Sequence, residues 1–199
     1  MPCTGIHLLI AHMIKPDANE LYWIGNFAPD YTNDRELKDK IHLRDSFDRW
    51  NSLKKLYQNN DMDNDFNIGW FLHLFVDTCW DEIQINDHKK WFNTLNTGDN
   101  WFLCYREEIG VVSYYLYHNL PWSKSIWDII KNAQIHKIKT SFPISISEIE
   151  SYRDRIVYKH SESNNNQNPS FFAFDKIIDF SNTTVNKYKN WIETLSKIN

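Results

Sequence analysis

NIGWFLHLFVDTCWDE, residues 67–82, decides how this chain is read. Within an otherwise apolar run, His73 and Asp77 are the two residues that stand out before the acidic end. They are four apart, so on a helix they lie one above the other on the same face. Trp70, Phe71, Leu72, Leu74, Phe75 and Val76 leave almost no polar face, and a helix that is apolar nearly all round is buried. A buried imidazole and a buried carboxylate both need partners. A metal ion is one solution, because neutral His and ionised Asp both ligate zinc. A His–Asp hydrogen bond inside a core is the other, and this pair alone does not choose between them.

The chain around this stretch has 199 residues, enough to enclose a sizeable core, and reads as one domain spanning 1–199. Nine Trp and an aromatic content of 16% imply a dense interior or an aromatic-lined cleft. A net charge of −4 argues against a broad basic surface for nucleic acid, but not against a phosphate-bearing substrate held by metal. Cys3, Cys79 and Cys104 are odd in number and lack a framework spacing, which argues against a disulfide scaffold. No apolar run approaches the length of a membrane span. No basic, apolar and small-residue leader pattern opens the chain, so a cytoplasmic, reducing setting is expected.

Upstream, Thr4–Lys15 reads as a mostly buried helix, capped at Thr4 and stopped by Pro16, with His7 in its first turn. His12 falls about 140° around that helix from His7, which assigns it to packing or surface. Asp17–Asp34 reads as a connection with a short element at Leu21–Ile24 and a Gly/Pro turn ending at Asp30. Asn33–Leu43 has helical spacing with His42 near its end, and Asp45–Gln58 is amphipathic. Asp61, Asp63 and Asp65 alternate as in a calcium loop, but the Gly and the closing Glu are missing, which excludes that reading. Downstream, helical sequence runs from Asn86 to His118 with a break at Asn96–Asp99. Further helices are expected over Pro121–Lys139, over Ile146–Tyr158 opened by Ser145 or Ser147, and over Phe171–Ile198. The polar stretch 161–170, SESNNNQNPS, reads as a mobile loop. No alternating pattern is long enough to carry a sheet, so the fold class is all-α, with roughly seven to nine helices.

His7, Asp30, His42, His73 and Asp77 are each embedded in apolar or turn sequence. Three His and two Asp can hold two zinc ions with one carboxylate bridging. GIHLLIA at Gly5–Ala11, WIGNFAPD at Trp23–Asp30, the segment ending at His42, and IGWFLHLFVD at Ile68–Asp77 follow one another in that order. As an ordered set they resemble the zinc-dependent phospholipase C family, which is related to the S1/P1-type nucleases. The resemblance implies an all-α, multi-helix phospholipase C/P1 nuclease-like bundle. It implies that Asp30, His42, His73 and Asp77 surround one zinc, and that Asp77 bridges to a second zinc held also by His7. The family completes that second site with the amine and carbonyl of its mature N-terminus. Pro2 lies five residues before His7, as that terminus does in the nuclease branch, and would supply those atoms after loss of Met1. Relatives carry Trp there, whereas Pro has only a secondary amine. Cys3 is a fallback ligand, set against a buried reduced thiol.

Many members hold a third zinc through a His after the bridging Asp and a later HxxxE. Here Trp80-Asp81-Glu82 contains no His, and the later pair corresponds to Cys104 and Glu108. Asp81, Cys104 and Glu108 are either an altered third metal site or the remains of a lost one. His88, His118, His136 and His160 lack partners at ligand spacing and read as structural or surface.

The implied activity is phosphoester hydrolysis, by a phospholipase C-like phosphodiesterase or a phosphatase. In it, two zincs lower the pKa of a shared water, and Asp30 acts as general base besides being a ligand. A small phosphoester or phospholipid is the implied substrate, without stable membrane insertion. Single-stranded nucleic acid is the alternative substrate, and a metal-binding helical protein without catalysis is the third reading. Trp23, Phe27, Trp70 and Trp80 either line a cleft or pack the core.

Overall fold

The computed structural model describes residues 1–95, 98, 100–142, 144–162 and 169–197. The expected helix break at 96–99 and the expected mobile stretch at 161–170 lie largely outside these residues, as does Pro143. Every regular element among the described residues is helical, as the sequence implied. In order they are α1 (Thr4–Ile14), α2 (Glu20–Phe27) running into a 3-10 turn (Ala28–Asp30), α3 (Arg35–Ile41), α4 (Arg49–Asn59) and α5 (Asp65–Leu95). Then come α6 (Trp101–Asn119), α7 (Ser123–Asn132) with a 3-10 turn after it (Ile135–Lys137), α8 (Ile146–Glu162) and α9 (Phe174–Ser196).

α5 is the axis of the molecule, and it is longer than its apolar stretch. From Phe66 to Trp80 nearly every side chain is buried, while Ile83 to Leu95 presents polar residues to solvent. Nothing between Glu82 and Leu95 breaks a helix, so the buried segment and the polar one that follows form one rod.

Local chemistry opens most of the other helices. Asn19, Asp34, Asp48 and Asn100 each accept a bond from the backbone of the first turn of α2, α3, α4 and α6. Ser145 Oγ accepts from Glu148 N at the start of α8. α1 departs from expectation: Cys3 occupies its cap position and no side chain bonds there, because Thr4 is already the first helical residue.

α2 lies against α5 with backbone touching backbone. A Cβ on Gly25 would meet Phe66 O at 2.0 Å, and one on Gly69 would meet Tyr22 O at 2.1 Å. Only glycine permits that approach. α1 packs on α2, α5, α6 and α9, while α7 and α8 close the side next to α6. Trp50, Phe71, Phe75, Tyr188 and Trp191 tie α4 and α9 to α5 through ring contacts. Trp23, Phe27, Trp70 and Trp80 are all buried in this core, at most 2% exposed, which settles their role as packing. No helix among the described residues is long and apolar enough to cross a membrane.

Candidate metal centre

The five candidate ligands come from four places in the chain and meet at one point. His7 belongs to the first turns of α1, Asp30 ends the 3-10 turn after α2, His42 caps α3, and His73 and Asp77 lie on α5. Asp30 is 8% exposed and the other four at most 1%. α3 ends in a Schellman arrangement: Arg44 N donates to Asp39 O and Leu43 N to Lys40 O, with Leu43 at φ 56°. A non-glycine residue in that conformation costs about 1 kcal/mol, and the turn aims His42 and Arg44 toward α5.

Both inner histidines have their tautomer set by the backbone. His42 Nδ1 donates to Lys38 O at 2.7 Å, and His73 Nδ1 donates to Asn26 O at 2.8 Å. With both rings neutral each Nε2 is a bare acceptor, and the two lie 3.3 Å apart. Burial holds the His73 ring well below the usual histidine range, with the neighbouring His7 adding to the effect, so it is neutral. Two bare acceptors at that distance repel unless a cation stands between them. A ring nitrogen on a backbone carbonyl with the other facing inward is the usual support for a metal-bound His.

Three donor spacings lie close to the edge of a coordination tetrahedron. With zinc–ligand bonds near the usual lengths, donors around one ion stand about 3.3–3.6 Å apart. His42 Nε2 is 3.5 Å from Asp30 Oδ1 and 3.5 Å from Asp77 Oδ2, and His73 Nε2 is 4.0 Å from Asp30 Oδ2. The other oxygen of Asp77, Oδ1, stands 3.4 Å from His7 Nε2. Asp77 thus spans from the His42 side to the His7 side. His7 is stacked on His73, ring centres 3.7 Å apart, and neither of its ring nitrogens makes a hydrogen bond, nor does Asp77 Oδ1. Two triplets, His42/His73/Asp77 and His7/Asp30/His73, each bring one donor apiece to within 4.8 Å of the others. These unbonded buried nitrogens and oxygens form a nitrogen-and-carboxylate donor set that could hold a metal ion; the two triplets share His73, whose one free nitrogen serves a single ion.

Cations back the carboxylates. Lys38 Nζ lies 2.8 Å from Asp30 Oδ1, Arg44 Nη2 lies 3.2 Å from Asp77 Oδ2, and Arg49 Nη2 lies 3.8 Å from the same oxygen. Burial alone would push both acids up. At Asp30 the charge of the adjacent Lys38 opposes it, and the carboxyl is held well below the usual carboxylate range. These cations were not singled out from sequence. The available signal was Lys38, one helical turn before His42.

The third set does not gather. Asp81 accepts from Arg49 at 2.9 Å and from Arg44 at 3.4 Å, and the Met1 ammonium sits 3.5 Å from it. Glu108 accepts the backbone N–H groups of Ser170, Phe171 and Phe172, which makes it the anchor of the segment entering α9. Cys104, on α6, shares no donor cluster with either acid among the described residues. Cys3 likewise joins no donor cluster, and burial pushes its thiol up. Pro2 is buried at the cleft wall, and Met1 O accepts from Tyr105 Oη at 2.6 Å.

A cleft of about 540 Å³ opens beside the centre, bounded by the N-terminus, α3, α5, α6 and α8. Of the five metal-set residues Asp30 alone lines it, so the remaining four stand behind its floor. Its aromatic lining is Phe102, Tyr105, Tyr114 and Tyr152 rather than the tryptophans. Of the other histidines, His12 stacks on Trp122, His118 and His136 are exposed, and His88 is fully buried among Trp91, Tyr105, Phe171 and Phe172. His160 is buried at the cleft wall, its Nε2 2.7 Å from Ser113 Oγ and its Nδ1 donating to Ile156 O. Comparison with known protein families, curated proteins and solved structures finds no match for this chain.

Proposed function

We infer that this protein is a zinc-dependent phosphoester hydrolase built as a phospholipase C/P1 nuclease-like bundle. One observation carries this. Two buried imidazoles with backbone-fixed tautomers face each other through bare nitrogens, ringed by two carboxylates and a third His. His42, His73, Asp30 and Asp77 would hold one zinc, and His7 with Asp77 would hold the other. Zinc bound there supplies a water that ionises near neutral pH and offsets the charge of the phosphoester.

The remaining work falls to the chain's own side chains. Asp30 is a ligand candidate that also reaches the cleft, which suits it to accept the proton of the attacking water. Lys38, paired with Asp30, and Arg44, paired with Asp77, both line the cleft and can donate to the phosphate oxygens, where charge develops as the bond breaks. The buried carbonyls of Lys38 and Asn26 keep His42 and His73 oriented throughout.

A panel of phosphomonoesters, diester lipid analogues and single-stranded DNA and RNA tests the reading, with Asp77→Asn alongside. Zinc-dependent hydrolysis of any one class, lost in Asp77→Asn, supports it. No hydrolysis by zinc-loaded protein, with stability alone lowered in Asp77→Asn, would leave a structural metal site instead.

A further inference from the structure

The cleft beside the centre is cationic on two walls, although the whole chain is acidic. Arg35, Lys38 and Arg44 line the wall formed by α3 and the turn after it. Arg106, on α6, and Lys159, on α8, line another part of the same cleft. Its lining carboxylates are Asp30 and Asp81, and both are already engaged by Lys38, Arg44 and Arg49. Net charge is −4 overall, so this excess of positive charge is local to the cleft.

The two walls differ in how their charge is met. Arg35 and Arg44 pair with Asp39, Lys38 with Asp30, and Arg44 also with Asp77 and Asp81. Arg106 and Lys159 are exposed, and among the described residues neither forms an ion pair. Arg106 lies over the Phe102 ring at 6.0 Å, at the cleft. A low-dielectric cleft lined by one sign of charge concentrates ligands of the other sign. The α3 wall stands next to the metal donors and faces the phosphate that reacts. The α6–α8 wall has no role in that step, and its charge is free for another anion.

We propose that Arg106 and Lys159 form a second anion site, and that the substrate is a small phosphoester carrying a further phosphate or carboxylate. This rests on the hydrolase reading above. It excludes a quaternary ammonium headgroup, which two unpaired cations would repel. The cleft volume of about 540 Å³ suits a small molecule.

The test uses zinc-loaded full-length protein. kcat/KM is measured for fructose 1,6-bisphosphate, fructose 6-phosphate, phosphocholine and a short single-stranded oligonucleotide, in wild type and in Arg106→Gln/Lys159→Gln. The bisphosphate is expected to exceed the monophosphate by about tenfold or more, the effect of one charge-assisted contact, with the ratio collapsing in the double variant. Equal values, a preference for phosphocholine or oligonucleotide, or a ratio the double variant leaves intact would each overturn the proposal. If no phosphoester is hydrolysed, the hydrolase reading fails, and calorimetry decides the anion site separately. Tighter binding of the bisphosphate than the monophosphate, lost in the double variant, sustains the site; equal binding removes it.

Discussion

At the scale of single residues, the two acids weighed as either an altered or a lost third metal site have separate structural tasks. Glu108 gathers three consecutive backbone N–H groups at residues 170–172. Glu108→Gln keeps at most part of that bonding and loses the charge, so it should cost about 1–3 kcal/mol of stability while metal content stays unchanged. Denaturant unfolding with elemental analysis reads both. A fall in bound zinc would instead make Glu108 a ligand. His160 makes a second prediction. Burial pushes its pKa down to about 4, below its value in the unfolded chain. The unfolded state therefore binds the proton more readily, and the stability that neutral His160 provides is lost as pH falls from about 6.5 toward 4. The full effect is about 3 kcal/mol. Unfolding of metal-free protein across that range should show a steeper loss in wild type than in His160→Gln. Parallel curves would mean that His160 is protonated in the fold. Neither feature was legible in sequence, because the partners that define them, residues 170–172 for Glu108 and Ser113 for His160, lie more than forty residues away along the chain.

At the scale of elements, the crossing of α2 and α5 places the inner ligands. Gly25 and Gly69 let the two backbones touch, and that contact puts Asn26 O within 2.8 Å of His73 Nδ1. Gly69→Ala would drive a methyl into the Tyr22 carbonyl, which backbone cannot yield cheaply. It should destabilise by about 1–3 kcal/mol or more and, by shifting α2, weaken metal binding as well. Thermal unfolding with and without zinc measures both; a variant with unchanged zinc binding would mean that His73 does not need its carbonyl partner. Much of this scale was legible. His73 and Asp77 share a face because they are four apart, and the all-apolar surround forced them inward. α5's length was not, because its mostly polar second half, with only Gln84, His88 and Phe92 turned inward, looks like a new helix. The cations were missed for a different reason: Arg44 and Arg49 reach Asp77 and Asp81 across more than thirty residues of chain. The tryptophans gave no answer by composition, since a buried ring and a cleft-lining ring read alike until packing separates them.

At the scale of the whole molecule, α1, α3, α5 and the turn after α2 converge on donors that are costly to leave facing one another. An ion bound only by the folded state should therefore stabilise it by mass action, about 2.7 kcal/mol at a hundredfold excess over Kd. For a chain of this size that is a rise in Tm of roughly 5–10 °C. Chelation should reverse the shift, and His73→Ala should abolish it. A Tm indifferent to zinc would mean that the fold closes without metal.

His7, Asp30, His42, His73 and Asp77 are proposed to form one two-ion centre. Elemental mass spectrometry of protein purified without an affinity tag or chelator tests it most directly. Close to two zinc per chain, falling sharply in His73→Ala, is the predicted result. No bound metal, with none taken up when zinc is added, would contradict it.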